Sequence, residues 1–385
     1  MPLSRIDPER YFTLFAAKAE RVRRDFAAAA LALPELQLFA SPPLGYRLRA
    51  EFRIWHTDTS IDYAMFGPAD PRRAIPITDF PPAVRAIRTL MPLLRARLTD
   101  ETLRHRLFQV EFLATLKGEM LVSLIYHRPL DDAWEAAARA LAADLGVQMI
   151  GRSRGQKIVI GRDWLEEEIR VDGRRLRYRQ IEGGFSQPNG EVNRAMLGWT
   201  RARAAGLGGD LLELYCGNGN FTVALAPLFD KVFATELSKP SVAAAHCNLE
   251  ANGASNVTLA RMASDEVGAA LARVRTFRRL KDIDLDAYRF TTLFVDPPRA
   301  GLDAATLELA RGFANVLYVS CNPATLLANA SALAGSHRIT AAAAFDQFPY
   351  TGHLECGLLL EQRSPAPAQG IVARVPRTLA AGSGA

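Results

Sequence analysis

The stretch DLLELYCGNGNFTVALAPLF, residues 210–229, decides the fold of the second half of the chain. A short apolar run ends at Tyr215, a turn containing Gly217 and Gly219 follows, and a helical pattern begins directly after the turn. Glycine in such a turn lets the backbone bend sharply and approach a ligand closely. The order of strand, glycine turn and helix therefore predicts a loop that binds a nucleotide-like cofactor.

An acidic residue supports this prediction. Glu236 ends the next apolar run, 19 residues after Gly217, which fits a carboxylate that hydrogen-bonds ribose hydroxyls. A dinucleotide fingerprint requires glycine at position 222, where this chain has Thr222, and Glu213 precedes the turn. The loop therefore resembles the S-adenosylmethionine loop of Rossmann-like methyltransferases more than a pyrophosphate cradle. A lone GxG turn more often binds nothing, so the prediction depends on the whole combination of strand, turn, helix and terminal acid.

The rest of the second half alternates short apolar runs with helical patterns, as in KVFATE, TTLFVD and NVLYVS. That alternation predicts a parallel sheet with helices on both faces, which is an α/β fold. Residues 364–385 are rich in Pro, Ala and Gly and lack periodicity, which predicts a mobile tail.

The first half predicts an α+β region. A helix is expected from Asp7, as N-cap, to about Ala30. The run RLRAEFRIWH, residues 47–56, alternates charged and apolar side chains as a half-buried strand does. Two hairpins are predicted, with turns at Lys117-Gly118 and Asp172-Gly173, and a helix DDAWEAAARALAADLG lies between them.

These patterns divide the chain into four parts. An N-terminal helical segment covers residues 1–45, with packing on the α/β domain as one option. An α+β domain covers residues 46–180. The α/β domain covers 181–363 and the tail covers 364–385.

Charge is distributed unevenly along the 385 residues. Residues 1–180 contain 29 Lys and Arg against 23 Asp and Glu, whereas the remainder contains 18 of each, so the first part carries the whole formal charge of +6. This asymmetry suggests that the first part meets a polyanion. The composition, 49% hydrophobic and 23% charged, excludes a disordered or fibrous protein.

The four cysteines, at positions 216, 247, 321 and 356, show no paired spacing. Neither a disulfide framework nor a zinc site is expected, and a reducing cytoplasm fits best. The N-terminal sequence mixes both charges, and no run reaches the 18 or so apolar residues of a membrane span. We therefore expect neither secretion nor membrane anchoring.

Two predicted strand ends carry reactive side chains. Asp296 ends TTLFVD before Pro297-Pro298, and Cys321 ends NVLYVSC before Asn322-Pro323. Ligands of open α/β sheets bind at this edge, so both side chains should face the crevice of the glycine loop. A cysteine there is a candidate nucleophile, and Glu355 in HLECGLLLE is the candidate proton acceptor. Taken alone, Glu355 would more often be an ordinary solvated acid.

The other three thiols are weaker candidates. Cys356 lies inside a predicted strand, Cys216 within the glycine turn, and Cys247 in a helical run that looks like core.

At this point a family resemblance emerges. The motifs SQPN, ELYCGNGN, ATELSKPSV, FVDPPRAGLD, YVSCNP and FDQFPYTGHLECG, together with YRLRAEFRIWH and LFQVEFL, closely resemble the tRNA (uracil-5-)-methyltransferases up to about Arg363. The resemblance implies a Rossmann-like class I methyltransferase domain with an N-terminal α+β RNA-binding domain. It also implies methylation at C5 of the T-loop uridine of tRNA (m5U54, ribothymidine), with S-adenosyl-L-methionine as methyl donor and no metal. Related ribosomal RNA enzymes commonly carry an iron–sulfur cluster held by cysteines, and no cysteine occurs here before Cys216.

The resemblance also assigns roles. The Cys321 thiolate would add to uracil C6, and Glu355 would remove the C5 proton. Cofactor and target-pocket positions carried over from the family are Gln187, Tyr215, Gly217, Asn220, Glu236 and Asp296.

The RNA substrate imposes a further requirement, because a T-loop uridine must be swung out of its stack before a thiolate can reach C6. Arginines and aromatic rings that replace the lost stacking are expected, and Arg49, Arg53 and Phe108 are the candidates. The runs RSRGQK and RRLRYR are candidate phosphate contacts. The ordinary alternatives are a solvated strand face for the arginines and a core position for the phenylalanine.

Three alternatives stay open at this stage. An amino-directed methyltransferase would carry an aromatic residue where Arg299 stands, and a non-catalytic RNA-binding protein would not need Cys321 with Glu355. An enzyme that methylates ribosomal RNA would use the same chemistry and would differ only in its RNA substrate. The expected partner is the T-arm of tRNA, or another RNA with a T-loop-like hairpin, with no membrane and no obligatory protein partner.

Overall fold

The computed structural model describes residues 3–57, 60–67 and 70–363, so the predicted tail at 364–385 lies outside the described residues. Within them the strands are β1 (Leu36–Phe39), β2 (Arg49–His56), β3 (Ile61–Gly67), β4 (Asp70–Ile77), β5 (Leu107–Ala114), β6 (Met120–Tyr126), β7 (Gln148–Ser153), β8 (Gln156–Ile160), β9 (Trp164–Val171), β10 (Arg174–Ile181), β11 (Asp210–Leu214), β12 (Val232–Thr235), β13 (Val257–Ala260), β14 (Phe290–Val295), β15 (Asn315–Ser320), β16 (His337–Phe345) and β17 (Glu355–Gln362). The α-helices are α1 (Tyr11–Ala28), α2 (Arg85–Arg97), α3 (Glu101–Arg104), α4 (Asp132–Leu145), α5 (Gly190–Ala204), α6 (Asn220–Leu225), α7 (Lys239–Ala251), α8 (Ser264–Leu271), α9 (Ala304–Arg311) and α10 (Pro323–Leu333).

The chain forms two compact units, each assembled from separate stretches of sequence. The seven-stranded unit contains described residues within 3–11, 41–193 and 349–351. The eight-stranded unit contains 12–40, 194–348 and 352–363. The four-part division predicted from the sequence stays a prediction.

The eight-stranded unit is built on a sheet of order β1-β16-β17-β15-β14-β11-β12-β13. Its paired strands are parallel except that β17 runs antiparallel to both β15 and β16. The central strands β11 and β12 are buried along their whole length, as expected where helices cover both faces of a parallel sheet. The predicted Rossmann-like methyltransferase fold is confirmed.

The N-terminal part of this unit contains an element that the sequence did not predict. Strand β1 pairs in parallel with β16, from Leu36 with Ala342 to Phe39 with Phe345. The preceding helix is confirmed with a modified start: Asp7 caps a single 3₁₀ turn, Pro8–Arg10, and α1 follows directly.

The seven-stranded unit contains a sheet of order β4-β3-β2-β5-β6-β7-β8 and a separate two-stranded ribbon, β9 with β10. The sheet is antiparallel except between β6 and β7, which α4 connects as a crossover. Helices α2 and α4 pack on its core face, where Trp134 and Met91 are buried. Both predicted hairpins, β5–β6 and β9–β10, are confirmed.

Strand β2 shows the predicted alternation. Ala50, Phe52 and Ile54 are buried on the core face, while Glu51 and Arg53 are exposed on the other face. Among residues 3–57, 60–67 and 70–363, no helix combines the length and apolar composition that a membrane span requires.

Candidate active site

Three strand ends of the eight-stranded sheet bring the predicted reactive groups together. Asp296 follows the last residue of β14, Cys321 follows the last residue of β15, and Glu355 is the first residue of β17. The antiparallel ladder between β15 and β17 pairs Ser320 with Cys356. Continued by one position, this register brings Cys321 opposite Glu355, and the Glu355 charge acts on the Cys321 thiol, so the candidate nucleophile and proton acceptor are neighbours.

Burial controls the protonation of this cluster. Burial, helped by the charges of Glu355 and Asp296 and opposed by Arg299, raises the pKa of the Cys321 thiol to about 11. Burial, and then Asp296, raises the pKa of Glu355 to about 8. In the absence of ligands the thiol therefore keeps its proton at neutral pH, and Glu355 is mostly neutral.

Asp296 retains some exposed surface as a residue, yet protein atoms surround its carboxyl closely enough that burial raises its pKa to about 7. The environment of the carboxyl sets this pKa, because the charge resides on the carboxyl oxygens. All three acidic groups of the cluster thus hold protons more tightly than they would in water.

Two rival thiols lie where they were predicted, whereas Cys247, expected in the core, is only partly buried. Cys356 lies within β17 and Cys216 within the glycine turn; both are buried, and burial raises the pKa of each. Cys247 lies in α7 and is partly buried. Cys321 is the thiol that is both partly exposed and at a strand end.

The glycine turn has an unusual backbone. Tyr215, Gly217 and Gly219 all have positive φ angles, 60°, 57° and 80°, and the Gly219 N–H donates to the Cys216 carbonyl at 2.8 Å. Such angles favour glycine, so Tyr215 is the strained member of the turn. Its hydroxyl donates to Ser264 Oγ at 2.7 Å. A Cβ at Gly217 would have no atom within 4 Å, so the turn is open on that side.

Glu236 holds this turn in place. Its Oε2 accepts from the Gly217 N–H at 3.0 Å, and its Oε1 accepts from the Ser238 N–H at 2.6 Å. The side chain remains partly exposed at the end of β12. A carboxylate fixed beside an open glycine turn fits the ribose of a nucleoside cofactor, because each oxygen has a further lone pair to offer to a hydroxyl.

Beneath the turn lies a buried acid, whose protonation the neighbouring Thr222 side chain opposes only weakly. Glu213 is fully buried, and neither of its carboxyl oxygens has a hydrogen-bond partner among the described residues; the same holds for Thr222 Oγ1. Burial raises the pKa of Glu213 to about 8. Glu213 is therefore kept mostly neutral at pH 7.

The loop after Asp296 depends on a residue that sequence reasoning missed. Asn329, on α10, accepts at Oδ1 from the Leu302 N–H at 2.9 Å and from the Tyr318 hydroxyl at 2.7 Å. Gly301 has a φ of 79°, and a Cβ there would lie 2.6 Å from the same Oδ1. The sequence signal that could have identified Asn329 is its polar side chain among the buried leucines and alanines of α10.

A buried lysine fixes the segment that leads to Glu355. Lys18 Nζ donates to Asp346 Oδ1 at 2.7 Å and to the carbonyls of Phe348 and His353 at 3.0 and 3.1 Å. Burial lowers the pKa of Lys18, and Asp346 opposes this effect. Lys18 and Asp346 are 328 positions apart, so no local pattern could have indicated the pair.

Asn220 and Gln187 are two further residues that were predicted to bind the cofactor. Asn220 begins α6, after the glycine turn. Gln187 belongs to the seven-stranded unit, where it lies between β10 and α5 and is partly buried. Their roles stay predictions.

The predicted RNA contacts separate into two environments. The Arg53 guanidinium lies 3.9 Å from the ring centre of Phe108, which stacks on His127 at 4.0 Å and 26°. Phe108 lies inside β5, at a register shift between Leu107 and Gln109. The bulge lets Phe108 join this stack, and His127 was missed because no local pattern marked it.

Arg49 is in a different environment from Arg53. Burial lowers its pKa, while Glu111 and Glu182 oppose this effect. Its Nε has no hydrogen-bond partner within the described part of the chain. Together with these two glutamates, Arg49 lines a depression of about 250 Å³.

Comparison with known proteins bears on these assignments. A family model described as tRNA (Uracil-5-)-methyltransferase matches residues 10–363. A tRNA/tmRNA (uracil-C(5))-methyltransferase of Aromatoleum aromaticum is 64% identical over 364 residues, which is 94% of this chain and 98% of that protein. One of the same description from an Azoarcus species is 63% identical over 363 residues, covering 94% of this chain and 99% of that protein.

A solved structure resembles the fold. The tRNA (uracil-54, C5)-methyltransferase of Pyrococcus abyssi, in complex with S-adenosyl-L-homocysteine, superposes with a TM-score of 0.68 at 19% identity. The match covers 91% of this chain and 83% of that one. Within the residues that the structure describes, no group of three or more His, Cys, Asp or Glu side chains is arranged to hold a metal ion. With the family model covering nearly the whole described chain and relatives above 60% identity, this chain belongs to the tRNA (uracil-5-)-methyltransferase family.

Proposed function

We propose that this enzyme methylates C5 of the T-loop uridine of tRNA, forming m5U54, through a covalent bond between Cys321 and uracil C6. The observation that carries the proposal is the placement of Cys321 opposite Glu355 at the ends of β15 and β17. Family membership supports the same reaction.

The first step answers a chemical difficulty, since uracil C5 is too weak a nucleophile to take a methyl group unaided. The Cys321 sulfur forms a bond to C6, and the electron pair of the C5–C6 double bond moves towards O4 to give an enolate. The thiol proton passes to solvent or to a neighbouring carboxylate. Because the resting pKa of Cys321 is raised to about 11, deprotonation accompanies substrate binding rather than preceding it.

The second step requires a methyl donor. We propose S-adenosyl-L-methionine, which supplies an electrophilic methyl group when bound. In this proposal Glu236 binds the ribose and Gly217 shapes the turn around it. Tyr215, Asn220 and Asp296 complete the site. Gln187 keeps the role that the resemblance implies.

The third step returns the enzyme to its starting state. Glu355 takes the proton from C5, the C5–C6 double bond forms again, and the Cys321 sulfur leaves C6 with its electron pair. The sulfur then takes up a proton, and Glu355 releases the C5 proton to solvent. For this step Glu355 must be ionised, although burial raises its pKa to about 8.

The RNA partner is proposed to be the T-arm of tRNA, or another RNA with a T-loop-like hairpin. The stack of Arg53, Phe108 and His127 supports this, because an extruded base leaves a gap that aromatic and guanidinium planes can fill. Arg49 is the weaker candidate, since it is partly buried beside two glutamates. The cytoplasmic location expected from the sequence stays a prediction.

Tritium release tests reaction and substrate together. Uridine tritiated at C5 is placed in a T-arm hairpin and in a ribosomal hairpin, each incubated with enzyme and S-adenosyl-L-methionine. We expect release from the T-arm hairpin alone. Release from the ribosomal hairpin alone would show the substrate assignment to be wrong, and release from neither would refute the reaction.

A further inference from the structure

The β9–β10 ribbon has two chemically different faces. Strand pairing from Arg174 with Val171 to Ile181 with Trp164 makes side chains alternate between them. The inner face is buried and consists of Leu165, Glu167, Ile169, Val171, Leu176 and Tyr178. The outer face carries four arginines (170, 175, 177 and 179) against two glutamates (166 and 168). The ribbon therefore presents a positive outer surface.

One cross-strand pair on this surface is repulsive. Arg175 lies directly opposite Arg170, and like charges at paired positions destabilise a ladder. Both side chains are more than half exposed, at 52% and 71%. The unliganded hairpin thus contains a local cost that an anion lying between the two guanidinium groups would remove.

A single acid moderates the repulsion. Glu168 accepts from Lys117 at 2.9 Å and lies 3.6 Å from Arg170 and 3.5 Å from Arg175. One carboxylate shared by three cations neutralises only part of their charge. The Glu168 side chain is only 8% exposed, but both arginine side chains are exposed and lie at long distances from it, so the arginines can exchange this partner at small cost.

The other end of the ribbon carries an aromatic support. The Arg162 and Arg179 guanidinium carbons lie 4.4 and 4.1 Å from the ring centre of Trp164. Stacking on an aromatic ring orients a guanidinium group while leaving N–H donors at its edge for an anion. The support makes part of the charged surface pre-organised.

We propose that this outer face binds the phosphate backbone of the substrate RNA. Arg175, Arg177 and Arg179 recur at every second residue of one strand, about 6.8 Å apart. That repeat is close to the separation of consecutive phosphates along one RNA strand, and guanidinium groups bind phosphate with two parallel hydrogen bonds. The proposal rests on the proposed RNA substrate and adds a phosphate-binding surface to it.

The test measures how salt affects binding of an unmodified tRNA transcript. The Arg175→Gln/Arg177→Gln variant is compared with Arg95→Gln/Arg97→Gln, which removes two exposed arginines from α2 on the opposite, core-packed side of the sheet. Each lost phosphate contact reduces the slope of log affinity against log salt by about 0.7 to 0.9. We expect the ribbon variant to lose between one and two slope units and roughly tenfold in affinity at 0.1 M salt, with little change in the α2 variant. Equal losses in both variants, or none in the ribbon variant, would overturn the proposal.

A second variant should change the affinity for tRNA in the opposite direction. Glu168→Gln removes the shared carboxylate and leaves Arg170 and Arg175 to the RNA, so tRNA should bind more tightly and with a steeper salt slope. A purely structural role for Glu168 would give weaker binding or none, and that result would contradict the proposal. Tritium release by the unsubstituted enzyme is measured in parallel. If the enzyme methylates the T-arm and the ribbon variants bind normally, only the ribbon proposal fails.

Discussion

Cys321 and Glu355 lie next to each other at the end of the β15–β17 ladder, one position beyond the pair formed by Ser320 and Cys356, and the Glu355 charge acts on the Cys321 thiol. The spacing between nucleophile and proton acceptor is therefore set by backbone hydrogen bonds of a buried sheet rather than by a loop. A reaction in which one group adds to C6 while the other takes a proton from C5 needs a fixed separation of this kind.

Replacing the nucleophile separates chemistry from folding. Cys321→Ala should abolish tritium release, because no other group can form the bond to C6. It should leave the melting temperature nearly unchanged, because the side chain is partly exposed. Cys247→Ala, a partly buried cysteine in α7, is the matched control and should keep most of the activity. Normal turnover by Cys321→Ala would refute the covalent mechanism.

Replacing the proton acceptor should stop the reaction one step later. Glu355→Gln still allows addition to C6 and methylation at C5, but the C5 proton then has no acceptor. A methylated covalent complex with the T-arm hairpin should accumulate and be visible by denaturing gel electrophoresis with labelled RNA. The double variant with Cys321→Ala should form no complex. If Glu355→Gln released product at the normal rate, another group must take the proton.

The pH dependence of kcat/KM follows from the resting protonation of Glu355. Because the pKa of its carboxyl is raised to about 8, the ionised fraction falls about tenfold for each pH unit below that value. We expect kcat/KM for the T-arm hairpin to rise steeply from pH 6 to 8 and less steeply above pH 8, where only the Cys321 thiol, with its pKa raised to about 11, still has to lose its proton. A profile that is flat across this range would show that Glu355 is already ionised in the free enzyme.

Glu213 should make stability depend on pH. Its folded-state pKa is raised from 4.5 to about 8, so the folded protein holds a proton that the unfolded chain releases as pH rises through that window. Stability therefore falls between pH 4.5 and 8, by on the order of 3 kcal/mol at pH 7. Glu213→Gln does not titrate, and its melting temperature should exceed that of the unsubstituted protein by several degrees more at pH 8 than at pH 5. An equal difference at both pH values would contradict the burial argument.

Gly301 tests the loop that follows Asp296. An alanine there would combine a φ of 79° with a Cβ only 2.6 Å from Asn329 Oδ1, so we expect a loss of about 2 kcal/mol in unfolding free energy and reduced activity. Gly335→Ala, where a Cβ meets no atom within 4 Å, should stay within about 0.5 kcal/mol. Denaturant unfolding of both variants makes the comparison, and equal stability would show that the loop rearranges without cost.

Local patterns account for what the sequence could predict. The glycine turn, the strand ends at Asp296 and Cys321, and both hairpins depend on residues within about 20 positions of one another, so their spacing is visible along the chain. Features held by distant partners were not visible. β1 pairs with a strand some 300 residues later, and Lys18 meets Asp346 only in the folded state.

The aromatic stack of Arg53, Phe108 and His127 shows a third limit on what can be predicted from the sequence. Phe108 was a candidate from its residue type, but its neighbour Arg53 comes from β2 and its neighbour His127 follows β6. A bulge at Phe108 determines which side chains meet, and a shift of one residue in pairing leaves no mark in the hydrophobic pattern.

The placement of α1 and β1 in the eight-stranded unit limits how the enzyme can be dissected. A fragment that begins at Ser41 would expose the edge of β16 that β1 covers, leaving a row of unpaired backbone groups open to other chains. It would also lose the Lys18 ammonium that holds the segment before Glu355. A minimal methyltransferase therefore has to carry the first 40 residues joined to the catalytic half, and a simple N-terminal truncation should yield aggregating, inactive protein.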